Sequence, residues 1–314
     1  MIMEKSKVLI VGGTGYLGKR LVKASLAVGH QTYILHRPEI GLDIEKIQML
    51  FSFKEQGAHL VSGSLDDHQS LVNAVKLVDV VICAISGVHL RSHQILLQLK
   101  LVDAIKEAGN VKRFLPSEFG TDPAKMENAM EPGKITFDDK MKVRKAIEEG
   151  GIPFTYVSSN CFAGYFVGGL CQPAQILPSK DSVVLFGDGN TPAIYVDEDD
   201  IAMYTIKTVD DPRTLNKTLY IRPSKNILSQ RQVVETWEKL IGKELHKSSN
   251  SKEEFLAIIK GLSYAEQVGL IHYYHVFYEG CLANFEIGNE GVEATQLYPE
   301  INYISVEEYL KRYL

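Results

Sequence analysis

Lys7-Val-Leu-Ile-Val-Gly-Gly-Thr-Gly-Tyr-Leu-Gly18 is the stretch on which the fold turns. Lys7–Val11 is a short apolar run of buried-strand type, and it leads without a break into a glycine-rich loop. The loop fits G-x-x-G-x-x-G from Gly12 and G-x-G-x-x-G from Gly13. Tyr16–Val28 follows as a helix with Leu17, Leu21, Val22, Ala24, Leu26 and Val28 on one broad face, and Gly29 stands where a C-cap glycine belongs. Strand, glycine loop and helix in that order form a dinucleotide-binding unit. Residues without side chains let the backbone approach a pyrophosphate, and the helix start offers free N–H groups and a positive dipole end. Gly12, Thr14, Gly15, Tyr16, Leu17 and Gly18 are the residues expected to hold it, Gly18 also letting the helix lie close on the strand.

The same rhythm continues outward. Thr32–Leu35, His59–Val61, Val80–Ile85 and Arg113–Leu115 read as strands; Asp43–Gln56, Asp67–Leu77 and Ile95–Glu107 read as helices, with Asp43 as an N-cap. A sixth unit joins helix Asp138–Glu149 to strand Phe154–Val157 through Gly150-Gly151. Alternation of helices with apolar strands predicts an α/β fold, a Rossmann-type doubly wound parallel sheet covered on both faces. Beyond Ser158 the rhythm changes. Glycine and aromatics cluster in Phe162–Gly169, a strand is expected at Ser182–Phe186, and helices at Ile201–Thr208, Gln230–Ile241, Lys252–Lys260 and Val306–Tyr313. Residues 1–157 are therefore expected to bind the dinucleotide, the chain returning to that domain within 181–224. Residues 158–314 would mainly form a smaller α/β substrate-binding domain.

The end of the second strand selects the cofactor. An NAD enzyme usually places Asp or Glu there, roughly 20 residues beyond the glycine loop, to hold the ribose hydroxyls. This chain has His36-Arg37-Pro38 instead. A carboxylate would repel a 2′-phosphate, whereas a guanidinium binds one with a two-pronged fork. Arg37, with Lys46 as a second positive charge, points to NADPH. Ser86-Gly87 and Ser117-Glu118-Phe119 lie at the carboxyl ends of the fourth and fifth strands, where open α/β sheets bind ligands, and are expected to line the cofactor.

The candidate for proton chemistry is a lysine. Short-chain reductases commonly use Tyr-x-x-x-Lys, but the position four before Lys140 is Thr136. Lys140 falls near the start of the expected helix Asp138–Glu149, whose positive end, together with burial, would lower its pKa and suit it to act as a base toward a phenol. His89, His93, His272 and His275 have no metal-ligand spacing, and no metal is expected. The four cysteines form no C-x-x-C pair, which suits reduced thiols and a cytoplasmic location. Net charge is −5 with both signs interspersed, giving no basic patch for a nucleic acid. No run of about 18 apolar residues predicts a membrane span, and Met1–Lys7 lacks the apolar core of a secretory signal.

Several longer stretches carry a resemblance. They include Ile10-Val-Gly-Gly-Thr-Gly-Tyr-Leu-Gly18, Tyr33-Ile-Leu-His-Arg-Pro-Glu-Ile40 and Ser86-Gly-Val-His-Leu-Arg-Ser-His93. Lys112-Arg-Phe-Leu-Pro-Ser-Glu-Phe-Gly120 and Asn160-Cys-Phe-Ala-Gly-Tyr-Phe166 belong with them. Nearly end to end, the chain resembles the plant pinoresinol–lariciresinol reductases. These group with isoflavone and phenylcoumaran benzylic ether reductases among atypical, NmrA-like short-chain reductases. The resemblance implies that Lys140 is the catalytic base. It would take the phenolic proton of a furofuran lignan, so that the phenoxide opens the benzylic ether to a quinone methide and NADPH delivers hydride to the benzylic carbon. Asn160 and Phe162 would touch the cofactor. Val88, Leu90, Phe166, Gly169, His275 and Tyr278 would form the substrate wall. A homodimer is implied too. Within the class, a phenylcoumaran or isoflavone reductase is the alternative; outside it, a non-catalytic NADP-binding redox sensor, which would need neither Lys140 nor the aromatic segment.

Overall fold

A computed structural model describes residues 5–87 and 93–314; the expected substrate residues Val88 and Leu90 lie outside the described residues. The first half alternates β1 (Lys7–Val11), α1 (Gly18–Val28), β2 (Gln31–His36), α2 (Ile44–Glu55), β3 (His59–Ser62), α3 (His68–Val75), β4 (Val80–Cys83), α4 (Gln98–Ala108), β5 (Arg113–Leu115), α5 (Lys134–Glu149) and β6 (Thr155–Ser158). The first five strands form one sheet in the order β3-β2-β1-β4-β5, with every pairing parallel. Successive strand residues point to opposite faces. Val8, Ile10, Ile34, Val80 and Ile82 enter one core with α1 and α2, while Leu9, Val11, Leu35, Val81 and Cys83 enter another with α3, α4 and α5. Val8–Val11 of β1 and all of β4 are buried on both faces, which is why those runs are apolar throughout.

β6 joins β5 through a single parallel bridge, Phe114 to Phe154. The remainder contains β7 (Cys161–Phe162), α6 (Ala163–Phe166), β8 (Ser182–Phe186), β9 (Pro192–Val196), α7 (Glu198–Lys207), β10 (Lys217–Tyr220), β11 (Ile227–Ser229), α8 (Gln230–Ile241), β12 (His246–Asn250), α9 (Lys252–Lys260), α10 (Tyr264–Phe277), β13 (Gly291–Glu293), α11 (Ala294–Leu297) and α12 (Val306–Leu310). β10 pairs parallel with β6, and β13 pairs parallel with β10.

Two helices begin earlier than their sequence patterns predict. α7 starts at Glu198 rather than Ile201, capped by Asp197, whose side chain accepts from the Asp199 N–H. Its acidic first turn complements the helix dipole. α5 starts at Lys134 rather than Asp138. No side chain caps it, so no local signal marks its first turn; packing holds it instead, with the Phe137 ring edge-on to His272 of α10 at 4.9 Å. Among the described residues no helix is long and apolar enough to cross a membrane.

Candidate active site

The glycine loop is built by close backbone approach. Gly12 has φ +86°, and a Cβ there would stand 2.8 Å from the Ala84 carbonyl oxygen at the end of β4. A Cβ on Gly18 would overlap the Gly12 carbonyl oxygen, so only glycine lets α1 begin this close to β1. The Gly15 N–H closes the turn on the Gly12 carbonyl at 2.9 Å. Among the described residues no side chain caps α1, whose N-terminus therefore faces the loop with its N–H groups free of side-chain acceptors. An uncapped helix start behind such a loop fits a pyrophosphate.

Arg37 directly follows β2, with extended backbone and an exposed side chain. No ion pair or hydrogen bond engages its guanidinium among the described residues, although the Asp66 carboxyl lies within its field. Lys46 is differently placed. Its amine sits 2.5 Å from Asp43 Oδ2, so part of its charge is already compensated by the residue that caps α2.

The ends of β4 and β5 meet at one place. Ser117 donates its hydroxyl to the Ile85 carbonyl at 2.7 Å, and its N–H to Gln98 at 2.6 Å. Gly87 lies against Ile95, which a Cβ would approach to 3.1 Å, and Ser86 accepts from the Gln94 N–H at 3.1 Å. Phe119 and Asn160 both hold positive φ, 30° and 57°. The Asn160 N–H donates to the Gly120 carbonyl, and its side-chain amide donates to the Ile221 carbonyl at 2.7 Å. Such backbone settings persist only where surrounding contacts over-determine them.

Lys140 lies on α5 facing this loop. Its side chain is buried, and its amine donates to the Glu118 carbonyl oxygen at 2.8 Å. Burial is the main cause that brings its pKa down from the ordinary lysine value to about 8; Arg144 pushes the same way, while Glu118 and Asp122 oppose. The expectation that the helix's positive end does this is corrected, because α5 begins at Lys134 and Lys140 stands well inside it. Thr136, in the place of the missing tyrosine, is buried one turn earlier and its hydroxyl has no partner among the described residues.

The residues expected around the cofactor and substrate from this half of the chain divide into two kinds. Phe162 is half-buried with its ring 6.1 Å from Tyr165, and Phe166 is half-buried with its ring 5.0 Å from Tyr273. The others are engaged by the protein itself. His275 accepts from the Met130 N–H through Nε2 at 3.0 Å, which leaves the proton on Nδ1 to donate to Glu279 at 2.6 Å. The Tyr278 hydroxyl donates to the Asn250 carbonyl at 3.0 Å. Gly169 is buried, with the Gln175 carbonyl occupying the space a Cβ would need. His93 reaches Asp139 at 2.7 Å rather than any metal cluster; among the described residues no group of three metal-ligating side chains occurs.

Two features had no sequence signal. Glu198, buried at the start of α7, accepts from the Tyr16 hydroxyl at 3.0 Å and the Gly164 N–H at 2.9 Å. It ties the glycine loop to the aromatic segment of α6. Arg144 grips Glu118 with two hydrogen bonds, Nε to Oε1 at 2.7 Å and Nη2 to Oε2 at 2.6 Å. The Glu118 carboxylate is thus committed to Arg144, and a cofactor contact from this residue is left to its backbone.

Comparison with known proteins agrees with this geometry. The NmrA-like family model matches residues 4–310. A bifunctional pinoresinol-lariciresinol reductase 2 of Linum usitatissimum is 76% identical over 311 residues, covering 99% of this chain and 94% of that protein. An isoflavone reductase homolog of Lupinus albus is 66% identical, covering 99% of this chain and all of that protein. The solved structure of AtPrR2 with NADP+ and (+)pinoresinol superposes with a TM-score of 0.96 at 58% identity, covering 99% of both chains. With a matching family model over nearly its whole length and relatives three-quarters identical, the chain belongs to the NmrA-like family, alongside the plant pinoresinol–lariciresinol reductases.

Proposed function

We propose that this protein is an NADPH-dependent reductase of lignans. It opens the benzylic ether of pinoresinol to give lariciresinol, and that of lariciresinol to give secoisolariciresinol. The observation that carries the reading is the buried Lys140 amine, held by the Glu118 carbonyl just after β5, at the carboxyl end of the sheet. The 76% identity to a bifunctional reductase supports it.

Burial brings the Lys140 pKa down to about 8, so the amine loses its proton far more readily near neutral pH than an ordinary lysine and can take a phenolic proton. The resulting phenoxide and ammonium are matched charges in a site with little water, where such a pair is strong. Phenoxide electrons move through the ring and break the benzylic carbon–oxygen bond, leaving a quinone methide and an alkoxide that takes a proton from solvent. NADPH, when bound, supplies hydride to the benzylic carbon. The ring regains its aromaticity as a phenoxide, which takes its proton back from Lys140. No carbonyl is reduced, so no tyrosine acid is needed.

The first 157 residues bind the cofactor in this reading, with the loop Gly12–Gly18 on the pyrophosphate and Arg37 on the 2′-phosphate. The later residues cover the substrate, with Phe166 in its wall. Four free, buried cysteines support a reducing, cytoplasmic setting. A homodimer completes the reading, and sedimentation of the purified protein tests it.

The functional test follows NADPH absorbance with pinoresinol and a phenylcoumaran side by side. Pinoresinol should be consumed faster, and Lys140→Ala should lower turnover about 10²–10⁴-fold while NADPH still binds. Faster turnover of the phenylcoumaran would reassign the substrate; turnover retained by Lys140→Ala would remove the lysine from the mechanism. No acceleration by either ether would favour the redox sensor.

A further inference from the structure

Thr136, Lys140 and Arg144 follow one another at intervals of four on α5 and so share one face, turned toward the loop after β5. Lys140 and Arg144 hold the same residue by its two ends. The lysine amine takes the Glu118 carbonyl oxygen, and the guanidinium takes the Glu118 carboxylate through its two-pronged fork. The Arg144 side chain is only 6% exposed. It also reaches Asp122 Oδ1 at 2.9 Å, and Asp122 in turn accepts from the Tyr220 hydroxyl of β10. The Tyr156 ring of β6 lies against the guanidinium at 4.1 Å. From the other side, the Ser158 hydroxyl and Asn160 N–H both donate to the Gly120 carbonyl. The loop is therefore fixed at Glu118, Gly120 and Asp122, and Arg144 makes two of those three attachments.

We propose that Arg144 is a positioning residue for catalysis: by clamping Glu118 and Asp122 it holds the carbonyl that aims the Lys140 amine. The inference rests on the reading of Lys140 as the base. A planar fork suits this task, because two parallel hydrogen bonds fix a carboxylate in rotation as well as distance, which a lysine's point charge does not. The charged groups facing Lys140 are Glu118 and Asp122 from the loop and Arg144 from its own helix. The clamp therefore sets the electrostatic surroundings of the amine as well as its place. Removing the Glu118 charge favours the neutral amine, and removing the Arg144 charge disfavours it.

The test is the pH dependence of pinoresinol turnover in four variants, with folding checked by thermal melts. The alkaline rise in kcat should belong to Lys140 and vanish with turnover in Lys140→Ala. In Glu118→Gln, where Arg144 keeps Asp122, the rise should move to lower pH by about one pH unit. In Arg144→Gln it should move to higher pH, with kcat at pH 7 down at least tenfold and the NADPH KM within threefold. Arg144→Lys should keep the rise in place yet lose several-fold in kcat, since it restores charge without the fork. The proposal is overturned if the rise stays put in both Glu118→Gln and a folded Arg144→Gln, or if folded Arg144→Lys and Arg144→Gln both keep parental kcat. If Arg144→Gln does not fold, a rise unmoved in Glu118→Gln with parental kcat in Arg144→Lys overturns it equally. Turnover retained by Lys140→Ala strikes the base assignment instead and leaves Arg144 nothing to position.

Discussion

Replacing Arg37 by Asp tests the cofactor reading most directly. The side chain is exposed and no ion pair engages it among the described residues, so its loss should cost the fold little. Hydrogen bonds to a charged group are worth about 1.5–3 kcal/mol. Exposure places Arg37 toward the lower end, a loss of roughly tenfold to a hundredfold in NADPH affinity at about 1.4 kcal/mol per decade. The new carboxylate adds repulsion of about 1 kcal/mol per phosphate charge at a few ångströms in water. Together the NADPH Kd should rise about 10²–10³-fold. NADH lacks the phosphate, and its Kd should change by less than about threefold in the same estimate. Lys46 cannot compensate fully, because Asp43 already shares its amine. Titration by nicotinamide fluorescence at two salt concentrations reads both constants. The NADPH penalty should shrink as salt rises, since exposed charges are screened beyond about 8 Å at physiological ionic strength. Equal losses for NADH and NADPH, or no loss for either, would refute the 2′-phosphate role.

Three further outcomes are expected. Gly18→Ala should abolish NADPH binding, because its methyl would overlap the Gly12 carbonyl oxygen; ordinary binding by a folded variant would contradict the close approach. Glu198→Ala leaves the Tyr16 hydroxyl and the Gly164 N–H without their acceptor. It should cost about 1–3 kcal/mol of stability and weaken NADPH binding, and an unchanged melting temperature together with an unchanged NADPH Kd would count against the link. Asp200 is buried, and burial lifts its pKa from the ordinary carboxylate range to about 7. A raised folded pKa means that its contribution is fully present below the unfolded value and is lost as pH rises through about 7. The parent's melting temperature should therefore fall more steeply from pH 5 to 8 than that of Asp200→Asn; parallel slopes would show that Asp200 does not set the trend.

Sequence and structure part company at identifiable places. Asp43 is legible as a cap because a short acid before an apolar-periodic run satisfies orphan N–H groups locally, and it caps α2 here. The start of α5 is illegible because Gly133 supplies no side-chain cap. Its first turn exists because Phe137 finds a partner on α10, more than a hundred residues away. The resemblance places His275 in the substrate wall. Only the fold reveals that Met130 and Glu279 take both ring nitrogens.

Local chemistry alone therefore determined the strand–loop–helix unit at Lys7–Gly18, the parallel sheet that follows it and the basic residue at the end of β2. Each depends on spacing along a few consecutive residues, which the chain displays directly. Tertiary structure decided what surrounds the Lys140 amine, which carboxylate Arg144 grips, and how Glu198 joins the glycine loop to α6. Those contacts link positions tens to more than a hundred residues apart. Their energy comes from burying charge and pairing it in the dark of the core, a condition no local pattern encodes.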